Sequence, residues 1–398
     1  MTARLASPVR GIRLGSTAAG IRYRGRDDLS VLEIVAGSAA AAMFTRNRFR
    51  AAPVIVAREH LELRQPRYLL INAGNANAGT GARGIEAARQ TCARLAELAG
   101  CSNQEVLPFS TGVIGAPLPV PLFAAAIPAA LADLAETGWE RAARAIMTTD
   151  TVPKIVSVPF RAGAARYIAT GIAKGAGMIR PDMATMLAFI ATDAPLSVSD
   201  TEQVLRLAVE RSFNRITVDG DTSTNDAVLL AATGLARGET PSEAIRAAAR
   251  AAVSDVCVAL AHAIVRDAEG ARKFVTIKVT GGASETDCLA VAYAIAHSPL
   301  VKTALSAADP NWGRILAAVG RAPVADLDVS RVSLWVGTQR ILSNGEPDPD
   351  YTEAKGVAAM SRPDIELHVM LGRGQAEAVV WTCDLSEEYV RINAEYRS

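Results

Sequence analysis

Two apolar runs of strand length lie on either side of a glycine-rich turn and a short polar segment near the middle of the chain. The first run covers residues 167–173, and the second begins at Thr185. Side chains of the second run alternate between two faces, as successive residues of a strand do. The sequence therefore predicts two strands, with a threonine at the first position of the second one.

Thr185 follows the small residue Ala184 and could become a new amino terminus if the backbone were cut between them. Such a threonine carries a nucleophile and a base together. Its hydroxyl can attack a carbonyl while the freed α-amine, with a reference pKa of roughly 7.7–8.0, accepts the proton. Threonine is also common at strand starts, so the residues alone favour ordinary turn and strand structure here. Both interpretations stay open at this point.

Composition and charge restrict the classes of partner. The chain has 398 residues, which is enough for two domains or one large one. Its formal net charge is +1, without a basic block, which argues against nucleic acid and favours small metabolites. We predict a cytoplasmic protein without a membrane span. The amino terminus has no apolar signal segment, and prolines interrupt the uncharged run at residues 106–132.

The cysteines and histidines give no sign of a metal site. The five cysteines form no C-x-x-C pair, and the four histidines lack the spacing of metal ligands. An odd number of thiols without such pairs is typical of a reducing cytoplasm. We therefore predict neither a disulfide framework nor a metal ion.

Short apolar runs predict further strands. Four of them lie in the first part of the chain, at residues 31–35, 41–44, 54–57 and 68–71. Two more are predicted near the end of the chain, at residues 365–371 and 376–382. A turn with two glycines separates this last pair, which predicts a hairpin.

Two helices have clear boundary signals. Apolar residues recur every three or four positions from Ile85, which predicts an amphipathic helix that Gly100 ends. Ser199 and Glu202 have the spacing of a capping box, which predicts that a second helix begins there.

A stretch with two glycines at residues 109–115 contains Thr111 and Gly112. Glycine lets the backbone come close to a ligand, and the neighbouring hydroxyl is a hydrogen-bond donor. Acyl transfer needs donors where negative charge develops on the carbonyl oxygen, and one donor is worth roughly 2.7–4 kcal/mol. A simple glycine turn explains the same residues equally well.

Several separated motifs occur in a fixed order along the chain. They are N-A-G-N-A-N-A at 72–78, T-T-D-T at 148–151, A-T-M-L at 184–187 and D-G-D-T-S-T-N-D at 219–226. Together they resemble the ornithine acetyltransferase (glutamate N-acetyltransferase) family, from near residue 12 to the end of the chain. Agreement of several motifs in order is far more specific than any one of them.

The resemblance implies that the chain cuts itself between Ala184 and Thr185, into an α chain of residues 1–184 and a β chain of residues 185–398. Thr185 would then be the nucleophile, and Thr111 and Gly112 would form the oxyanion hole. The residues implied in substrate binding are Thr151, Lys174, Thr185, Glu269, Asn393 and Ser398. Two positions depart from the family pattern, since Ala268 stands where glycine is usual and Ser398 where threonine is usual.

The implied fold is α/β, with stacked β-sheets flanked by helices in an αββα-like sandwich that resembles amino-terminal-nucleophile enzymes. A smaller C-terminal α/β part would begin at about residue 270. The implied activity moves an acetyl group from N-acetylornithine to glutamate through an acetyl-threonine intermediate, without a metal or organic cofactor. The implied assembly pairs two α chains with two β chains. Whether acetyl-CoA is also a donor stays open.

Two alternatives compete with this interpretation. One is a self-cleaving amidase or aminopeptidase of related architecture that passes the acyl group to water. The other is an uncleaved protein that binds an amino acid without catalysis. Formation of acetyl-glutamate, rather than net hydrolysis, would distinguish the transferase from the amidase or aminopeptidase. Two fragments on a denaturing gel would rule out the uncleaved binding protein.

Overall fold

The computed structural model describes residues 6–180, 186–236 and 241–396. These residues belong to two compact units. The first unit comprises Met1–Asn214 and Asp221–Ile264, and the second comprises Arg215–Gly220 and Val265–Ser398.

The first unit contains two sheets and the helices that cover them. Its strands are β1 Ile12–Thr17, β2 Leu29–Ile34, β3 Ala39–Phe44, β4 Tyr68–Asn75, β5 Val106–Val113, β6 Lys154–Ala162, β7 Ala165–Lys174, β8 Leu187–Thr192 and β9 Ala227–Ala232. Its helices are α1 Ala52–Leu63, α2 Gly81–Ala99, α3 Val120–Ala132, α4 Trp139–Ala145, α5 Val198–Glu210 and α6 Glu243–Arg266, the last of which continues into the second unit.

The two sheets of the first unit stack face to face. Sheet A has the strand order β1-β2-β4-β5, and sheet B has the order β3-β9-β8-β7-β6. Within them β4 pairs with β5 and β8 with β9 in parallel, and the other neighbours are antiparallel. Phe109 of β5 and Phe189 of β8 meet edge to face across the interface, with ring centroids 5.1 Å apart. The main core of this unit therefore lies between the sheets.

Helices cover the outer faces of both sheets. Alternate residues of sheet A, such as Val31 and Leu70, share a second core with Cys92 and Leu95 of α2 and with residues of α3. On sheet B, a Cβ atom at Gly171 of β7 would lie 2.9 Å from Val256 and 3.1 Å from Leu260, because α6 packs closely there. This arrangement confirms the predicted fold class of stacked sheets flanked by helices.

The second unit is built on one mixed sheet. Its strands are β10 Phe274–Gly282, β11 Ser333–Val336, β12 Gln339–Ser343, β13 Glu346–Pro347, β14 Asp364–Met370 and β15 Ala376–Cys383. Its helices are α7 Glu285–Ala296, α8 Pro299–Ser306, α9 Trp312–Gly320, α10 Glu353–Met360 and α11 Glu387–Glu395. The strand order is β13-β12-β11-β14-β10-β15. Val291 and Ile295 of α7 pack on Val275 and Ile277 of β10 in the core of this unit.

The predicted hairpin near the end of the chain is wrong. β14 and β15 both pair with β10, which lies between them, parallel to β14 and antiparallel to β15. Gly372 and Gly374 instead carry the chain past the end of β10, where the Gly374 N–H donates to the Gly281 carbonyl at 2.9 Å. A Cβ atom at Gly374 would lie 2.4 Å from the Gly282 carbonyl oxygen, so the close crossing requires glycine.

The predicted strand at residues 54–57 is also wrong. These residues lie in α1, which has Pro53 in its first turn and buries Val54, Ala57 and His60. Proline fits a first helical turn because the N–H that it lacks has no partner within the helix there. A four-residue apolar run does not distinguish a buried strand from one turn of a helix, and this ambiguity misled the prediction.

The helix after β8 begins two positions earlier than predicted. Its cap is Ser197, whose Oγ accepts from the Asp200 N–H at 3.1 Å, while the Asp200 carboxylate accepts from the Ser197 N–H at 3.3 Å. The sequence contains two overlapping serine–acid pairs with this spacing, and the first one forms the box. The amphipathic helix that Gly100 ends is confirmed, with Gly100 in the left-handed region at φ 66°.

One described helix, α6, has the length and apolar composition needed to cross a membrane. The bent pair α7 and α8 meets the same criteria when taken together. Half of the apolar window of α6 is buried within the protein, which is the usual environment of a core helix. The uncharged run at residues 106–132 forms β5 and α3, on either side of a turn.

Candidate active site

Thr111 and Gly112 lie at the end of β5, where it pairs with β4. Gly112 has φ +133° and stands opposite Gly74 in the ladder, and Asn75 faces both Thr111 and Val113 across a bulge. A Cβ atom at Gly112 would lie 2.2 Å from the Gly74 carbonyl carbon and 2.5 Å from the Asn75 nitrogen. Only glycine fits this position, because backbone atoms of β4 occupy the space of a side chain.

The polar loop at residues 221–226 supports this end of sheet A. The side-chain amide of Asn225 donates to the Ala76 carbonyl at 2.7 Å and to the Ser110 carbonyl at 2.9 Å. Ser110 directly precedes Thr111, so the loop fixes the backbone that carries the oxyanion-hole candidates. The D-G-D-T-S-T-N-D motif thus contacts the end of β5 directly.

Lys174, the last residue of β7, contacts the end of β5. Its Nζ donates to Thr111 Oγ1 at 3.2 Å, and the two residues are only 5% and 7% exposed. In the ladders of sheet B, Lys174 pairs with Leu187, the first residue of β8, which in turn pairs with Ala227, the first residue of β9. The end of β7 and the starts of β8 and β9 therefore lie at the edge of sheet B that meets Thr111.

The chain enters β8 through Met186, which is buried and held on both sides. Its N–H donates to Asp226 Oδ1 at 3.0 Å, and its carbonyl accepts from the Ala227 N–H at 3.1 Å. Ala184 and Thr185, the predicted cleavage site and nucleophile, lie outside the described residues. The residue bonded to Thr185 is thus fixed next to Lys174 and Asp226.

Asp150 and Lys154 form a buried ion pair beside Lys174. The pair is 2.6 Å long, and its side chains are 0% and 1% exposed. Asp150 also accepts from the N–H of Gly175 at 2.7 Å, which ties this loop to the residue after Lys174. Burial acts to raise the pKa of Asp150, but Lys174, Lys154 and the Gly175 N–H outweigh it and lower that pKa to about 2. Asp150 is therefore ionised at any physiological pH.

The remaining predicted residues fall into two groups. Thr151 is exposed and directly follows Asp150, so it belongs to the same corner of the first unit. In the second unit, the Asn393 amide donates to Glu269 Oε2 at 2.7 Å. Ser398 lies outside the described residues. Each unit thus brings its own predicted binding residues together.

The turn that carries Glu269 is closely packed within the second unit. Ser386 Oγ donates to the Gly270 carbonyl at 2.7 Å, and a Cβ atom at Gly270 would lie 2.7 Å from the Tyr389 nitrogen. These contacts hold the turn against the start of α11, the helix of Asn393. Ala268, which stands where the related pattern has glycine, is buried there.

The model of the ArgJ family matches residues 13–398 of the chain. The chain belongs to the ArgJ family. Two curated relatives, each named arginine biosynthesis bifunctional protein ArgJ, come from Methylococcus capsulatus (56% identical over 393 residues) and Pseudomonas fluorescens (53% over 394 residues). These matches cover 98% of this chain and 96% and 97% of the relatives. A crystal structure of ornithine acetyltransferase complexed with ornithine, from Mycobacterium tuberculosis, is 32% identical with a TM-score of 0.39, over 44% of this chain and 94% of that one.

Membership of the ArgJ family confirms the predicted relationship to the ornithine acetyltransferases, and with it the enzyme class. The structure adds three buried charged residues that the sequence did not single out as site residues: Asp150, Lys154 and Asp226. Asp150 lies within the T-T-D-T motif and Asp226 ends the D-G-D-T-S-T-N-D motif, so both motifs were visible in the sequence. The burial of these residues beside Lys174 could not be seen in the sequence, because it arises from the stacking of the two sheets.

Proposed function

We propose that this ArgJ-family enzyme cuts its own backbone between Ala184 and Thr185 and then uses Thr185 to carry an acetyl group from N-acetylornithine to glutamate. The observation that supports this most is the hydrogen bond between Lys174 and Thr111. It brings the end of β5, with the oxyanion-hole candidates, next to the end of β7. The neighbour of β7 is β8, which begins at Leu187, shortly after Thr185 in the chain.

In the self-cleavage step, the Thr185 hydroxyl oxygen attacks the carbonyl carbon of Ala184. The bond between this carbon and the Thr185 nitrogen breaks, the nitrogen takes the hydroxyl proton, and an ester joins Ala184 to Thr185. Water then hydrolyses the ester, which leaves a carboxylate on Ala184 and restores the hydroxyl of Thr185. The products are an α chain of residues 1–184 and a β chain of residues 185–398, whose first residue has a free amine.

In the transfer reaction, the Thr185 hydroxyl attacks the acetyl carbonyl of N-acetylornithine while its own α-amine accepts the proton. Thr111 and Gly112 would donate to the oxygen that becomes negative, an interaction worth roughly 2.7–4 kcal/mol for each donor. The amine of ornithine leaves with the proton, and the acetyl group stays on Thr185 as an ester. The amine of glutamate attacks this ester and completes the transfer.

The charges around Lys174 suit an anionic substrate group. Lys154 and Lys174 are both close to Asp150, which is ionised, whereas burial favours the neutral form of Asp226. These groups together would carry an excess of positive charge, which favours a substrate carboxylate at Lys174. Thr151 would contact the same end of the amino acid. Glu269, held by Asn393, would pair with an amino group, and Ser398 would complete the binding set.

We include acetyl-CoA as a second donor, since the curated relatives are named bifunctional. The acetyl-threonine ester would form in the same way, with coenzyme A as the leaving thiol. The working assembly would contain two α chains and two β chains from the same precursor. Acetyl-glutamate formation from acetyl-CoA and glutamate, measured without N-acetylornithine, tests the second reaction.

The experiment that tests the proposal compares the wild type with Thr185→Ala. The wild type should give two fragments on a denaturing gel, and amino-terminal sequencing of the larger should begin at Thr185. Thr185→Ala should stay uncut and should form no acetyl-glutamate, because nucleophile and base are lost together. Thr185→Ser is the matched control, since it keeps the hydroxyl and should retain cleavage. Turnover by an uncut Thr185→Ala protein would contradict the proposal, and net hydrolysis of N-acetylornithine without transfer would indicate an amidase.

A further inference from the structure

The Asp150 side chain is enclosed at the corner where β6 begins and β7 ends. Its Oδ1 accepts from Lys154 Nζ at 2.6 Å and from the Gly175 N–H at 2.7 Å. Its Oδ2 accepts from the Thr148 N–H at 3.0 Å. The side chain is 0% exposed. Three donors on both oxygens therefore fix the carboxylate in one orientation.

This one carboxylate serves two lysine side chains. Burial acts to raise the pKa of Asp150, and the positive charges of Lys174 and Lys154 are the largest effects that lower it. The two lysines are only 5% and 2% exposed. Burial and a like charge both disfavour an ammonium group, and an opposite charge nearby favours it. Both buried lysines therefore depend on Asp150 to remain protonated.

Other titratable groups of this corner do not replace Asp150. Asp226 interacts with Lys174, but burial raises the pKa of Asp226 well above its usual range and favours its neutral form. Burial also raises the pKa of Tyr23, which interacts with Asp150, so its hydroxyl stays neutral. Arg26 lies over the Tyr23 ring at 3.7 Å and adds positive charge. At neutral pH the negative charge that acts on Lys174 therefore comes from Asp150.

We propose that Asp150 is the positioning residue for Lys174, which it keeps protonated and directed toward Thr111 for binding of the substrate carboxylate. This inference rests on the proposed function, which places that carboxylate at Lys174. Asp150 acts in two ways. Its charge stabilises the ammonium group, and its hydrogen bond from the Gly175 N–H fixes the backbone directly after Lys174. Neither requires Asp150 to touch the substrate.

The test is Asp150→Asn in the full-length chain, with acetyl transfer from N-acetylornithine measured at pH 6 and at pH 9. Asparagine keeps the shape of the side chain and removes its charge, so Lys174 should lose its proton more readily as the pH rises. KM relative to the wild type should be within about threefold at pH 6 and should rise at pH 9 toward the value of Lys174→Met. The ratio of the two kcat values should stay within about threefold at both pH values, because Asp150 does not touch the reacting atoms.

The double variant Asp150→Asn/Lys154→Met separates charge from structure. It removes the whole ion pair, which costs less stability than removing one partner. It also relieves Lys174 of the second positive charge, so KM at pH 9 should fall at least about threefold below that of Asp150→Asn. A role limited to holding the Gly175 turn predicts no such fall, because neither variant holds that turn with a carboxylate. If Asp150→Asn does not fold, the double variant decides, since a KM at pH 9 below that of Lys174→Met supports the proposal and an equal KM overturns it.

Asp193→Asn is the matched control. Asp193 is also buried, and it also accepts a backbone N–H of sheet B, from Ile168 at 2.9 Å. It directly follows β8, beside the first half of β7, whereas Lys174 is the last residue of β7. Asp193→Asn should keep the wild-type KM at both pH values.

The outcomes separate this inference from the proposed function. An Asp150→Asn enzyme with a wild-type KM at pH 9, or with a KM raised equally at both pH values, would overturn the inference alone. A wild-type KM for Lys174→Met would overturn the binding role of Lys174, and this inference with it. Turnover by Thr185→Ala would instead overturn the proposed function itself.

Discussion

Gly112→Ala should disable the oxyanion hole while leaving the fold in place. The new methyl carbon would lie 2.2 Å from the Gly74 carbonyl carbon, 2.5 Å from the Asn75 nitrogen and 2.6 Å from Gly74 Cα. These are backbone atoms of β4 and cannot rotate away, so β4 and β5 must separate locally. An ordinary contact begins at 3.4 Å, which requires a displacement of about 1 Å, and a misplacement of that size costs about 10²-fold in rate.

The expected result is a loss of kcat of about 10²- to 10³-fold, the range seen when one oxyanion-hole donor is removed. Alanine at φ +133° also stores strain of about 1–3 kcal/mol. In a chain of 398 residues that strain lowers the unfolding temperature by roughly 1 °C for each kcal/mol, because the entropy of unfolding grows with chain length. The assay is steady-state transfer from N-acetylornithine to glutamate, with thermal unfolding measured on the same preparation.

Gly115→Ala is the matched control for backbone strain. Gly115 also has a positive φ, of +87°, but a Cβ atom added there would meet no described atom within 4 Å. The variant should lose some stability and keep kcat within about threefold, because strain there does not displace β5. A Gly112→Ala enzyme with near wild-type kcat would refute the placement of the oxyanion hole at Thr111 and Gly112.

Two further perturbations test the buried charges. Asp150 has a pKa lowered from 3.8 to about 2, so its contribution of about 2 kcal/mol to folding is complete above pH 3.8 and is lost as the pH falls toward 2. The free energy of unfolding, measured by urea denaturation of the wild type and of Asp150→Asn, should differ by that much less at pH 2 than at pH 4. A difference between the two proteins that stays constant over this pH range would contradict the assignment. Lys174→Met should raise KM for N-acetylornithine about 10- to 100-fold, the worth of a hydrogen bond to a charged group. Lys302→Met is the matched control, because it removes an equally buried lysine that donates to a threonine hydroxyl in the second unit. This variant should leave KM unchanged. An equal rise in KM for Lys302→Met and Lys174→Met would argue against a binding role for Lys174.

The sequence predicted the elements of the site better than their arrangement. The strand that ends at Lys174 and the one that follows Thr185 were visible as apolar runs bounded by glycine or polar residues. The strand β5, which carries Thr111 and Gly112, was not predicted, because the sequence around Gly112 was interpreted only as a glycine-rich stretch. The contact between Lys174 and Thr111 was not visible either, since it depends on two sheets that stack through Phe109 and Phe189. Side-chain alternation reports which faces are apolar, and it does not report which other sheet covers them.

The wrong hairpin and the missed ion pair have the same physical origin. Turn chemistry around Gly372 and Gly374 indicated a hairpin, but pairing with β10 on either side determines where β14 and β15 lie. The buried pair of Asp150 and Lys154 looks like two ordinary surface charges in sequence, because charged residues are seldom fully buried. Long-range packing decides both cases, and a single sequence does not encode it in a local pattern.

The central claim is that an acetyl group passes through the hydroxyl of Thr185. Mass spectrometry of the purified enzyme, mixed with N-acetylornithine in the absence of glutamate, tests it directly. The account predicts two chains, with one added acetyl group on the peptide that begins at Thr185, and loss of that group when glutamate is added. An unbroken chain that carries no acetyl group, yet exchanges acetyl between ornithine and glutamate at full rate, would contradict it.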